Sequence, residues 1–123
     1  MLLTDFYSVV SNEETSTGNH LVMIRVNPNH EVFKGHFPGN PVMPGVCMMQ
    51  IIKELTEEIN GSSLFMQSLS NVKFMALINP EQTPELRLEL NISQTEDSLV
   101  KVKNTTYFND TVALKLASTY KKV

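Results

Sequence analysis

Between His36 and Val46 the chain reads His-Phe-Pro-Gly-Asn-Pro-Val-Met-Pro-Gly-Val, with three prolines, two glycines and one histidine in eleven residues. Proline fixes φ, so a loop of this kind has few conformations. It runs straight into Val46 to Ile59, a segment that reads as a buried helix. A histidine with a pKa near ~6.5 suits general-base work close to neutral pH. The N–H groups at a helix start have no partner within the helix and carry the positive end of its dipole, so they suit a developing oxyanion. A base delivered to such donors is the outline of a reaction centre. A histidine met alone is more often structural or on the surface; here its loop favours function.

Other elements must hold this loop in place. Asp5 to Thr15 carries Phe6, Val9 and Val10 and ends in a polar cluster, which reads as a strand with a turn at Gly18. His20 to Asn27 is rich in apolar and β-branched residues and predicts a second, mostly buried strand. Asn27-Pro-Asn-His30 is a turn, and Glu31 to Gly35 fits one helical turn. In the helix, Val46, Cys47, Met48, Met49, Ile51, Ile52, Leu55 and Ile59 make the early part apolar nearly all round, so other structure must wrap it. Pro44 and Gly45 suit its start and Asn60-Gly61 its end. After Ser63 to Leu77, which mixes apolar and polar residues, Leu86, Leu88, Leu90 and Ile92 alternate with Glu85, Arg87, Glu89 and Asn91, a strand buried on one face. Leu99 to Phe108 and the strand holding Val112, Leu114 and Leu116 follow, joined by a tight turn at Asn109-Asp110. The layout is two strands, a central helix and about four more strands, mostly in meander order. This is an α+β fold with one helix on an antiparallel sheet. One helix cannot cover both faces of such a sheet, so a dimer is expected.

The bulk numbers set bounds. A chain of 123 residues fits a single domain, 1–123, and 41% hydrophobic with 19% charged residues is ordinary for a globular protein. A net charge of −3 disfavours nucleic acid as a partner. The lone cysteine, Cys47, rules out an internal disulfide, so a reducing, cytoplasmic setting is expected. No signal peptide and no membrane-spanning run is expected. Cys47 sits in an apolar run and reads as core packing. His20 and His30 read as structural residues without partners, and no metal-ligand spacing is present, so no metal is expected.

Residues 36 to 46 resemble the signature loop of the β-hydroxyacyl-acyl-carrier-protein dehydratases, His-Phe-Pro-Gly-x-Pro-(Ile/Val)-(Phe/Met)-Pro-Gly-Val, at every position. A weaker match is Val72-Lys-Phe74 with Pro80 six residues after the phenylalanine; where the family tends to have Pro-Gly-Asp, this chain has Pro80-Glu-Gln82. The resemblance implies the hot-dog fold, a long helix wrapped by a curved antiparallel sheet, in a dimer. It implies elimination of water from a 3-hydroxyacyl group on acyl carrier protein, in fatty-acid or polyketide-like synthesis, with no cofactor. It places His36 as the catalytic histidine and Val42 where a backbone carbonyl orients the imidazole. Gly45 and Val46 fall where amides bind the thioester carbonyl, and Phe37 and Met43 join them in substrate binding. It also implies that the site lies at a dimer interface, with the histidine of one chain facing the acid of the other.

The family's acid is a Glu or Asp fourteen residues after the histidine, and this chain has Gln50 there. An amide cannot act as the acid that turns hydroxide into water, but it can hydrogen-bond the hydroxyl. General acid–base help is typically worth ~10²–10⁴-fold. Slow turnover therefore survives if His36 both removes the proton and returns it to the leaving hydroxyl. Three readings stand: a dehydratase that depends on His36, a partner subunit in a heterodimer with another hot-dog chain, and an acyl-binding protein or related thioesterase. Gln50 itself is either a substrate contact or a buried amide bonded to backbone. Glu54, one turn along, is either a displaced carboxylate or a solvated helix position. Met43, Met48, Met49, Met66 and Met75 line an acyl tunnel or are plain core.

Overall fold

Leu86, Leu88 and Leu90 are all buried to 1% exposure or less, and their neighbours Glu85 and Glu89 are exposed. That alternation builds the middle of the sheet. The computed structural model describes residues 5–35 and 41–123. The strands are β1 (Tyr7–Ser16), β2 (Asn19–Val26), β3 (Leu64–Phe74), β4 (Glu85–Gln94), β5 (Leu99–Phe108) and β6 (Thr111–Lys122). They form one six-stranded sheet in the order β1-β2-β4-β5-β6-β3, with every described pairing antiparallel. β4, β5 and β6 are a meander, as expected. β3 departs from it: it crosses to the far edge and pairs with β6, from Leu64 opposite Lys122 to Phe74 opposite Leu114.

The helix α1 (Gly45–Asn60) buries Cys47, Met48, Ile51, Ile52 and Leu55 in one core with Val22, Ile24, Val100, Val102, Leu114, Leu116 and Tyr120 of the sheet. The apolar start of the helix is wrapped only in part, which corrects the expectation: Cys47 and Met48 are buried, Met49 is half-buried and Val46 faces outward at 71% exposure. Pro44 caps the helix in an extended conformation, φ −67° and ψ 141°, without a side-chain hydrogen bond. Gly61 ends it at φ 72°, the left-handed region, where its N–H bonds to the Glu57 carbonyl. The expected one-helix, antiparallel-sheet α+β architecture is the one found. Among the described residues, no helix is long and apolar enough to cross a membrane.

Candidate active site

His36 and Phe37 lie outside the described residues, but both flanks of their loop are fixed. On the upstream side, the 3-10 turn Glu31–Gly35 carries Phe33, whose ring stacks on buried Phe6 with centroids 5.5 Å apart. His30 meets the same Phe6 ring edge-on at 5.0 Å, and its Nδ1 accepts the Val32 N–H at 3.0 Å. The expectation that His30 has no partner is thus corrected. The same holds for His20, whose Nε2 lies 3.8 Å from a Glu14 carboxylate oxygen. On the downstream side, Pro41 is buried and Val42 half-buried, and the Met43 N–H bonds to the Ile78 carbonyl at 2.9 Å. The loop that carries His36 is therefore tethered to two different parts of the core.

The helix start has the form that oxyanion binding needs. The first bonds back to the Pro44 carbonyl come from the Cys47 and Met48 N–H groups, at 3.1 and 3.3 Å. The Gly45 and Val46 amides precede these and point out of the first turn. The first turn holds no acidic residue, so the positive end of the helix dipole is not offset there. The Val46 side chain is 71% exposed, so that residue contributes little but its backbone to the fold. Beside this start lies a cleft of about 480 Å³ whose lining includes Met43, Gly45, Met48, Phe74, Met75 and Leu77. Three of the five methionines singled out in the sequence line it, although Met48 is also full core at 1% exposure. The other two, Met49 and Met66, are half-buried against the core.

Phe74 is the residue that sequence reasoning left without a role. A β-carbon at position 45 would meet the Phe74 ring at 2.7 Å, so the ring lies directly over the helix start. The signal was present in the Val72-Lys-Phe74 match, but its partner is distant in sequence. Cys47 is 7% exposed, and burial pushes its thiol above the ordinary cysteine range, which fits core packing and disfavours a thiolate. The loop at Pro80-Glu-Gln82 folds around Asn79, whose side-chain oxygen accepts the Glu81 N–H at 2.9 Å and whose carbonyl accepts the Thr83 N–H at 2.8 Å.

Gln50 does not line the cleft that Gly45 and Met43 share. Its Nε2 donates to Glu54 Oε2 at 2.8 Å, and the Tyr7 hydroxyl donates to Glu54 Oε1 at 2.8 Å. Glu54 is only 9% exposed, so it is not the solvated position that helix spacing alone would make it. Burial raises the Tyr7 pKa, and the Glu54 carboxylate adds to that rise, so the phenol stays a neutral donor. Within one chain Gln50 sits one turn along the helix from Val46, with its side-chain amide bonded to Glu54.

The family described as ApeI-like, ApeI dehydratase, matches residues 11–114. A 3-hydroxyacyl-acyl-carrier-protein dehydratase FabZ from Lactobacillus helveticus is 30% identical over 116 residues, covering 88% of this chain and 77% of that protein. A FabZ from a Caulobacter species is 33% identical over 97 residues, covering 72% of this chain but 58% of that protein. The chain belongs to the hot-dog 3-hydroxyacyl-acyl-carrier-protein dehydratase family, and within it matches the ApeI-like dehydratases. Among solved structures it superposes on the dehydratase heterocomplex ApeI:P from Xenorhabdus doucetiae with a TM-score of 0.71, at 20% identity over 92% of this chain and 96% of that one. It also superposes on a thioesterase from Pseudomonas aeruginosa with a TM-score of 0.65, at 8% identity over 91% and 79%. At these identities the two structures share the fold.

Proposed function

We propose that this protein eliminates water from a 3-hydroxyacyl thioester carried on acyl carrier protein, giving the trans-2-enoyl thioester. The observation that carries the reading is the full match of residues 36 to 46, leading into a helix start whose Gly45 and Val46 amides face outward with no acidic residue near. His36 takes the proton from the carbon next to the carbonyl. The electron pair moves toward the thioester oxygen, where the Gly45 and Val46 amides stabilise it. The pair then forms the C2–C3 double bond as hydroxide leaves C3, and His36 returns the proton so that water departs. The Val42 carbonyl orients the His36 imidazole, Met43 and Phe37 shape the acyl path, and Gln50 orients the hydroxyl.

The site is built from two chains. Gln50 does not line the cleft within one protomer, and a second protomer brings its own position 50 to that cleft. The β3 edge suits such a contact: it ends the sheet, and Phe65 and Phe74 on it and Met75 and Leu77 just after it are exposed apolar side chains. The second chain is a copy of this one or a related hot-dog subunit. Gln50 itself favours the latter, because a partner with a carboxylic acid there completes one site.

The test is turnover of a 3-hydroxyacyl carrier-protein substrate to the enoyl product by wild type and His36→Ala. The expected result is measurable turnover that falls by ~10²–10⁴-fold in His36→Ala. No turnover by the purified protein, alone or co-purified with an acid-bearing homologue, would overturn the reading. Release of free acid from a saturated acyl thioester would replace it with the thioesterase reading.

A further inference from the structure

Glu54 is buried one helical turn beyond Gln50, and the reaction written above does not use it. Its two carboxylate oxygens are held by groups from two elements: Tyr7 of β1 on Oε1 and Gln50 of α1 on Oε2, both at 2.8 Å. We propose that Glu54 is a positioning residue, anchored by Tyr7, that locks the Gln50 side chain in one orientation and makes the two residues a single functional pair. A carboxylate only accepts hydrogen bonds, so it accepts one only from the NH₂ side of the Gln50 amide. The Gln50 carbonyl oxygen is thereby turned away from Glu54. Position 50 then presents an acceptor that takes the O–H of a substrate hydroxyl, instead of donating to its oxygen.

The pairing has a second consequence. Replacing Gln50 alone by Glu brings a second carboxylate to hydrogen-bond distance of Glu54, and two like charges that close hold a proton between them to higher pH. Exchanging both residues keeps one carboxyl and one amide and avoids the repulsion. Tyr7 from β1, and Glu57 and Glu58 from the same helix, line the pocket around Glu54 and are common to both variants.

Two measurements test this, and the first does not need activity. In ¹⁵N-labelled protein the Gln50 side-chain amide signals, assigned by their loss in Gln50→Ala, should be well separated and exchange slowly with solvent. Glu54→Ala should collapse the separation and speed the exchange, and Tyr7→Phe, which removes the anchor, should do both in part. Signals that are unchanged in a folded Glu54→Ala protein would overturn the proposal. If that variant does not fold, Glu54→Gln, which replaces a charged acceptor by a neutral amide, must move the Gln50 signals, and unchanged signals overturn the proposal equally. The second measurement rests on the dehydratase reading. The alkaline limb of the pH–rate profile of Gln50→Glu should lie about one pH unit or more above that of Gln50→Glu/Glu54→Gln. Coincident profiles would overturn the pairing. Absence of turnover in every variant would sink the dehydratase reading and leave the amide signals to decide this one.

Discussion

The Phe74 ring lies over Gly45 so closely that a β-carbon added there would sit 2.7 Å from Cζ and 3.1 Å from Cε1. The glycine is needed because a ring from β3 covers the first turn of the helix. Phe74 is 57% exposed, so the ring can swing aside. Gly45→Ala should therefore cost little stability, with better helix propensity offsetting the contact, and Tm should move by only a few degrees. The displaced ring crowds the cleft at the outward amides, so turnover should fall about tenfold, about 1.4 kcal/mol of barrier. Adding Phe74→Ala should recover most of that loss. Turnover and Tm of the two variants check this.

Tyr7 gives the fold an alkaline dependence. Its folded-state pKa is raised, first by burial and then by the hydrogen bond to Glu54. The folded chain therefore keeps the phenolic proton at pH values where the unfolded chain, with an ordinary phenol near ~10, has released it. This contribution is fully present below about pH 10 and is lost as pH rises past it. Urea titrations between pH 9 and 11.5 should show wild type losing stability more steeply than Tyr7→Phe. Tyr120, also raised by burial, supplies the slope that remains in the variant.

Leu88 is fully buried at the centre of β4, between Val22 on β2 and Thr106 on β5. Leu88→Ala leaves a cavity with sheet on both sides and should cost ~2–5 kcal/mol. Denaturant unfolding measures it directly, and Glu89→Ala, on the exposed face of the same strand, should stay within ~0.5 kcal/mol.

The β3 edge should be where a second chain docks. Phe65 is 64% exposed near the start of β3 and Leu77 is 75% exposed just after it. Phe65→Asp/Leu77→Asp should shift sedimentation from a two-chain species to one chain while leaving the far-ultraviolet spectrum unchanged. Turnover should fall with the two-chain fraction.

Most of the fold could be read from local pattern. The β4 alternation, the Gly61 helix stop and the Asn109-Asp110 hairpin all stand where periodicity and turn chemistry put them. β3 resisted because its register against β6 shifts between Met66 and Ser68 and again between Ser70 and Lys73, and each shift breaks the two-residue period. On β5 the inward face continues through Asn104 and Thr106, both buried, because the Thr106 hydroxyl donates to Asn104 Oδ1 at 2.9 Å and Asn104 Nδ2 donates to the Glu89 carbonyl at 3.2 Å. A polar side chain satisfied by a neighbouring strand looks like surface in sequence. The solvated alternative for Glu54 fails for the same reason: its partner Tyr7 comes from a strand 47 residues earlier. The loop motif pointed to the dehydratase family, but the Gln50–Glu54–Tyr7 contacts are ones that no local pattern holds.

The placement of β3 beyond β6 also fixes an order of events during synthesis. β1 and β2 can pair as soon as both have emerged, and so can β4 and β5. β3 is complete before either of the latter exists, yet its partner in the sheet is the last strand, with Leu64 opposite Lys122. Such long-range closure is slow, because chain entropy is lost before the contacts that reward it form. The helix made just before β3 must therefore wait, with Ile51, Ile52 and Leu55 uncovered on the side that Leu116 and Tyr120 complete, until β6 has been made. A ribosome that stalls before β6 releases a chain that has lost an inner strand of the sheet, and with it the means to hold an apolar helix out of water.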